Sequence, residues 1–140
     1  MQVYYISGLI HRMNKRIIIT ACLFGVLAVI LGAFGAHGLR GKIDTNALQT
    51  WETAVQYHFY HVLALLFLST FSRFRYRLIN LSYWSFTLGI ILFSGSLYVL
   101  AAKDILNITQ SSFIGPITPI GGLFFIIGWT TLLLAAIRNK

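Results

Sequence analysis

The sequence predicts an all-α integral membrane bundle of four transmembrane helices with both termini in the cytoplasm. Three observations carry that expectation. Of the 140 residues 57% are hydrophobic and only 10% are charged, with a mean hydropathy of +0.76, whereas about 25% of a soluble domain is charged. The uncharged residues gather in four long runs, and the bases between the runs favour one side. The same composition excludes a disordered chain, a soluble basic nucleic-acid binder, a coiled coil and a disulfide-stapled secreted domain.

Ile17 to Leu39 carries no charge over 23 residues, Thr53 to Ser72 none over 20, Leu78 to Ala102 none over 25, and Ile105 to Ile137 none over 33. A helix needs about 20 apolar residues to cross a hydrocarbon core about 30 Å thick, so each run suffices for a crossing. The last is too long for one helix. Its first part, with Asn107, Thr109, Gln110, Ser111, Ser112, Gly115 and Pro116, has loop chemistry. The expected spans are therefore 17–37, 51–71, 79–102 and 119–137, in a single domain over 17–137. Residues 1–16 form a cytoplasmic lead-in and 138–140 a cytoplasmic tail. Met13-Asn14-Lys15-Arg16 reads as an ordinary membrane-protein start, which leaves 1–12 as an upstream extension or a short amphipathic lead-in and the start at Met1 or Met13. The small residues from Ala33 to Ala36 resemble a signal-cleavage site, but the run is long and three spans follow, which favours a retained helix.

Orientation follows from the bases. The chain has 11 Lys and Arg against 3 Asp and Glu, a formal charge of +8. Arg12, Lys15, Arg16, Arg73, Arg75, Arg77, Arg138 and Lys140 fall on one side, and Arg40, Lys42 and Lys103 on the other. The richer side is cytoplasmic by the positive-inside rule, and its bases meet anionic lipid headgroups. Tyr76, Tyr83 and Trp84 on the inner side and Trp51 on the outer fit aromatic belts.

Small residues supply the packing faces. Ala21, Gly25, Ala28, Gly32, Gly35 and Ala36 share a stripe on span one, Ser82, Ser85, Gly89 and Ser96 on span three, and Thr118, Gly121, Gly128 and Ala135 on span four. Such stripes let helix backbones approach closely, within one bundle or between copies. Cys22, the single cysteine, reads as a small buried packing residue and excludes an intramolecular disulfide and a cysteine-based metal site.

Polar residues at membrane depth are the functional candidates. They are His37 at the end of span one and Glu52, Gln56, Tyr57, His58 and His61 at the start of span two. On a helix Tyr57, His58 and His61 share one side and Glu52 and Gln56 another. His58 and His61 at i,i+3 supply two imidazoles, whereas a metal site needs a third and usually a fourth ligand. Hydrogen bonding across helices is the better reading, with Glu52 paired to Arg40, Lys42 or Lys103. No metal and no cofactor are expected. Ser94-Gly95-Ser96 lacks a nucleophile-elbow pattern, and the glycines from Gly115 to Gly122 lack the lysine of a phosphate loop. Thr118 is instead expected to cap the last helix, with Pro119 at its first position.

Four motifs carry a family resemblance: Gly32-Ala33-Phe34-Gly35-Ala36-His37-Gly38, the stretch from Glu52 to His61, Phe93-Ser94-Gly95-Ser96-Leu97-Tyr98, and Thr118-Pro119-Ile120-Gly121-Gly122 through Gly128-Trp129. In that order, and from about Met13 onward, the chain resembles the DUF423 family, a YgdD/YwdK-like group of small bacterial membrane proteins. The resemblance implies a four-span protein of the bacterial inner or plasma membrane with no assigned reaction, substrate or cofactor. The motif residues fall on Gly32, Phe34, Gly35, His37, Glu52, Tyr57, His61, Ser94, Gly95, Ser96, Tyr98, Thr118, Pro119, Gly121, Gly122, Gly128 and Trp129. His58 and the first dozen residues lie outside the pattern.

Two functional readings follow. The preferred one is a non-catalytic membrane protein that packs with lipids and with a second copy or a membrane-protein partner in the cell envelope. The alternative is a site in which His37, Glu52, Tyr57 and His61 bind a small polar ligand, a lipid headgroup, a quinone or a proton at the outer ends of spans one and two.

Overall fold

The computed structural model describes residues 14–71, 76–108 and 114–138. Arg12, Arg73, Arg75, Lys140, the loop residues 109–112 and the lead-in 1–12 lie outside them. Every regular element among the described residues is helical. Helix α1 runs Lys15–Ala33 and continues as a π-helical turn over Phe34–Leu39. Helix α2 runs Thr45–Ser69, α3 Tyr76–Gly89, and α4 Gly95–Ala101, with a second π turn, Ile90–Ser94, joining α3 to α4. Helix α5 runs Ile117–Arg138.

Three of these stretches, Lys15–Leu39, Arg77–Ala101 and Ile117–Arg138, are long and apolar enough to cross a membrane. Helix α2 has 25 residues but is more polar, because it carries Gln49, Glu52, Gln56, His58 and His61. It begins at Thr45, well before the apolar run, because the Asp44 side chain accepts a hydrogen bond from the Ala47 amide at 2.9 Å and caps the helix. Gly41, at φ 78°, makes the left-handed turn between α1 and α2. At the other end of the pair the Asn14 amide donates to the Ser69 carbonyl at 2.9 Å.

The helices pack as two pairs joined through α2. Helix α1 lies against α2, α3 lies against α5, and α2 meets the second π turn and α4. The outer surface is apolar, with Leu23, Val26, Val29, Phe67, Ile126 and Leu133 all exposed. A sheath of this kind is stable only in lipid.

The small-residue stripes face inward except at Ala36, which is exposed. Gly25 and Gly32 meet Val62 and Val55 of α2, a Cβ at Gly128 would lie 2.6 Å from the Phe86 ring, and a Cβ at Gly121 would overlap the Phe93 main chain. Gly89 receives the Phe125 ring in the same way. Gly89, Gly121 and Gly128 are the notches that let Phe125, Phe93 and Phe86 reach full contact, whereas Gly25 and Gly32 admit valines. Hydroxyls close the same interfaces. Ser82 and Thr131 bond at 2.7 Å, Ser96 and Thr118 at 2.7 Å, and Thr20 and Tyr83 at 2.9 Å.

Four local expectations change. Cys22 is exposed rather than buried, because it lies beside the inward stripe of α1 and not on it. Thr118 joins α5 to Ser96 rather than capping it, because α5 starts at Ile117 and Pro119 sits third in the first turn. Trp51 is buried, not in an outer belt, because its indole N–H donates to the Leu31 carbonyl at 2.9 Å. Tyr83 is buried as well, under the Arg16 guanidinium 4.6 Å from its ring centroid.

Two glycines separate contact from composition. Gly121→Ala drives a methyl into main chain that cannot rotate away, and is expected to cost about 1–3 kcal/mol in unfolding measurements in bicelles. Gly95 is helical with nothing within 4 Å of a built Cβ, so Gly95→Ala is expected to cause no loss. Equal effects at the two positions would contradict this packing.

Candidate functional site

Of the four candidates for a polar site, Glu52, Tyr57 and His61 divide between two grooves. Glu52 and Gln56 line a shallow one of about 220 Å³ between α1 and α2, beside Gly32, Gly35 and Ala36. Tyr57 and His61 line another of about 680 Å³ between α2 and α5, with Phe93, Pro119, Phe125 and Trp129. His37, exposed in the first π turn, lines neither. The cause is helical geometry. His61 lies about 180° around α2 from Glu52, and α1 covers one side while α5 flanks the other. His37, Glu52, Tyr57 and His61 therefore do not converge as the single cluster that the ligand-binding alternative requires.

His61 is 5% exposed and fully engaged. Its Nδ1–H donates to the Tyr57 main-chain carbonyl at 2.7 Å. The Trp129 indole N–H donates to its Nε2 at 3.3 Å. A carbonyl only accepts and an indole N–H only donates, so these partners together fit the neutral Nδ1–H tautomer and use both ring nitrogens. The ring also stacks on Phe125, with centroids 3.4 Å apart and planes 7° from parallel. His61 thus ties α2 to α5. The Tyr57 hydroxyl is not its partner; the tyrosine contributes its main chain and a ring stacked at 6.3 Å.

His58, outside the motif pattern, is 2% exposed. Its Nδ1 lies 3.2 Å from the Tyr98 hydroxyl, while Nε2 has no hydrogen-bond partner among the described residues. Phe24 of α1 meets the ring edge-on at 5.7 Å. Tyr98 also packs against Trp51 at 4.7 Å, and a Cβ at Gly35 would lie 2.5 Å from the Trp51 indole. Gly35, Trp51, Tyr98 and His58 therefore form one chain of contacts through the first π turn, α2 and α4. His58 and His61, three residues apart, reach different neighbours and share no ligand position. Among the described residues no three His, Cys, Asp or Glu side chains gather as a metal site. Cross-helix hydrogen bonding is the expected role of His58, but its partner Tyr98 and its burial depend on tertiary contacts that a single helix does not display.

The remaining motif residues frame these contacts. The π turns contain Gly35 and His37 in one case and Phe93 and Ser94 in the other. Such turns are wider than α turns and recur at functional positions. The Ser94 hydroxyl is buried there with no hydrogen-bond partner among the described residues. Phe34 lies over Trp51 at 5.8 Å and packs on Gly38, while Gly122 lines the α2–α5 groove.

A family model described as "Protein of unknown function (DUF423)" matches residues 31–122. A UPF0382 membrane protein of Staphylococcus aureus is 46% identical over 124 residues, covering 89% of this chain and 97% of its own. UPF0382 membrane protein YwdK of Bacillus subtilis is 45% identical over 126 residues, covering 89% and 98% respectively. A UPF0382 membrane protein of Staphylococcus haemolyticus is 42% identical over 124 residues. No solved structure matches the chain.

If the rings act as cross-helix ties, Trp129→Phe keeps the ring but removes the donor to His61. It is expected to lower unfolding stability by about 0.6 kcal/mol, the usual weight of such a bond in a membrane. Tyr57→Phe keeps everything His61 uses and should leave stability unchanged. The reverse ranking would mean that the tyrosine hydroxyl, not the indole, holds the imidazole.

Proposed function

The chain belongs to the DUF423 family of membrane proteins, and we propose that it serves as a non-catalytic, four-span protein packing with lipids and a membrane partner in the bacterial cell envelope. The observation that carries this reading is the engagement of the motif side chains with one another. His61, Trp129, Tyr98, Ser96 and Thr118, with Trp51 beside the motifs, are all committed to bonds or ring contacts between helices. A catalytic or transport site would instead keep convergent polar groups available to a substrate.

Four crossings are supported by connectivity. Helix α1 and its π turn carry the chain one way, and α3 starts again beside the start of α1, so α2 has to bring it back. Its 25 residues extend about 37 Å at 1.5 Å per residue, enough for the hydrocarbon core. Its polar side chains are tolerable because His58 and His61 are covered by neighbouring helices. Both termini on the cytoplasmic side follow from the eight bases at that end against three at the other.

Native mass spectrometry of the protein extracted with its own lipids tests the function. The expected spectrum holds lipid adducts and protein copies. A stoichiometric quinone, metal or other small molecule that disappears in His61→Ala would contradict the reading. Orientation is checked in a Cys22→Ser background: Lys42→Cys should react with an impermeant thiol reagent in intact cells, and Arg138→Cys only after permeabilisation. Inverted labelling would overturn the topology.

A further inference from the structure

A second crevice lies between α1 and α2 on the lipid-facing surface, nearer the chain termini. It has a volume of about 510 Å³ and is lined by Ala21, Gly25 and Val29 of α1 and Phe59, Val62 and Leu66 of α2, among others. Apart from the Cys22 thiol, every lining side chain is apolar. The floor is low because Ala21 and Gly25 fill so little space. From Ala21 to Ile30 the crevice extends about 14 Å along the helix at 1.5 Å per residue. That is close to half of a hydrocarbon core about 30 Å thick, the depth of one leaflet.

Lys15 stands at the terminal end of this crevice. Seven residues before Cys22, it lies within about 20° of Cys22 around the helix and two turns along it. Arg16, its neighbour, is committed elsewhere, bonding Asn80 and lying over the Tyr83 ring. The chain has three carboxylate side chains, Asp44, Glu52 and Asp104. All belong to the opposite end: Asp44 caps α2, Glu52 follows two turns later, and Asp104 follows α4. Among the described residues no carboxylate therefore stands at the Lys15 end of the bundle, and an anionic group of the surroundings can supply its counter-charge.

We infer that this crevice seats one acyl chain of an anionic phospholipid whose phosphate is held by Lys15. The inference rests on the membrane-spanning reading above and names the lipid that the surface takes. A flexible hydrocarbon chain fits a continuous apolar crevice of one-leaflet length, and a lysine stem reaches from the helix end to the headgroup region. A zwitterionic headgroup brings its own ammonium, whereas an anionic one compensates the unpaired base.

The test is native mass spectrometry of the purified full-length chain titrated with phosphatidylglycerol or phosphatidylcholine. One phosphatidylglycerol is expected to be retained about fivefold more tightly than phosphatidylcholine, the weight of one base beside an anionic headgroup. Lys15→Gln should abolish that preference, and Cys22→Phe, which fills the crevice, should weaken retention of both lipids. Arg138→Gln, at the same end but on α5, should change neither. Both Lys15 and Cys22 are exposed, so the variants are expected to fold; melting in the same detergent checks it. Equal retention of the two lipids by an intact chain would overturn the inference while leaving the four-span reading standing. A preference that Lys15→Gln removes but Cys22→Phe leaves intact would overturn the crevice as the seat of the chain.

Discussion

The structure depends on close approach between helices that share a solvent as apolar as their own side chains. In hydrocarbon there is no gain from hiding leucine from lipid, so association rests on van der Waals fit and on polar groups that find partners only in the bundle. The glycines meet that requirement by receiving rings. Phe86 enters at Gly128, Phe125 at Gly89 and Trp51 at Gly35, while the Phe93 backbone itself rests against Gly121. Each ring then becomes a support for something else. Phe125 stacks on His61, and Trp51 packs against Tyr98.

The interior polar residues acquire their roles from that frame. His61 bridges α2 and α5 with both nitrogens engaged, and His58 joins α2 to Tyr98 beyond the second π turn. The hydroxyl pairs Ser82–Thr131 and Ser96–Thr118 sit at different levels of the interface that α3 and α4 make with α5. Polar residues that look costly in a membrane segment are thus distributed along helix interfaces, one or two per level, instead of gathering in a site. The division explains how α2, with its buried His58 and His61, can lie inside an apolar shell.

Much of this was legible in the sequence because it depends on period and composition. Uncharged runs gave the helices, and small residues at helical spacing gave faces that do turn inward. Opposite placement of Glu52 and His61 also follows from 100° per residue. What the sequence concealed depends on neighbours brought from far along the chain. Trp51 looked like an interfacial anchor until the notch at Gly35 and the Leu31 carbonyl, 20 residues away, took it inward. His58 lies outside the family pattern that includes His61, yet it is the more deeply buried of the two. The π turns left no periodic signal, since each displaces the register within a single motif. The early start of α2 was readable in principle from Asp44 as a cap, but the apolar run drew attention to its later residues.

A double-mutant cycle at Phe86 and Gly128 tests the central claim most directly, with stability measured by reversible unfolding in bicelles. Gly128→Ala should destabilise the native chain but cost much less once Phe86→Leu has vacated the notch, giving a coupling of about 1 kcal/mol or more, in the range seen for residues in contact. Additive effects, with no coupling between the two positions, would contradict a bundle held together by rings seated on glycines.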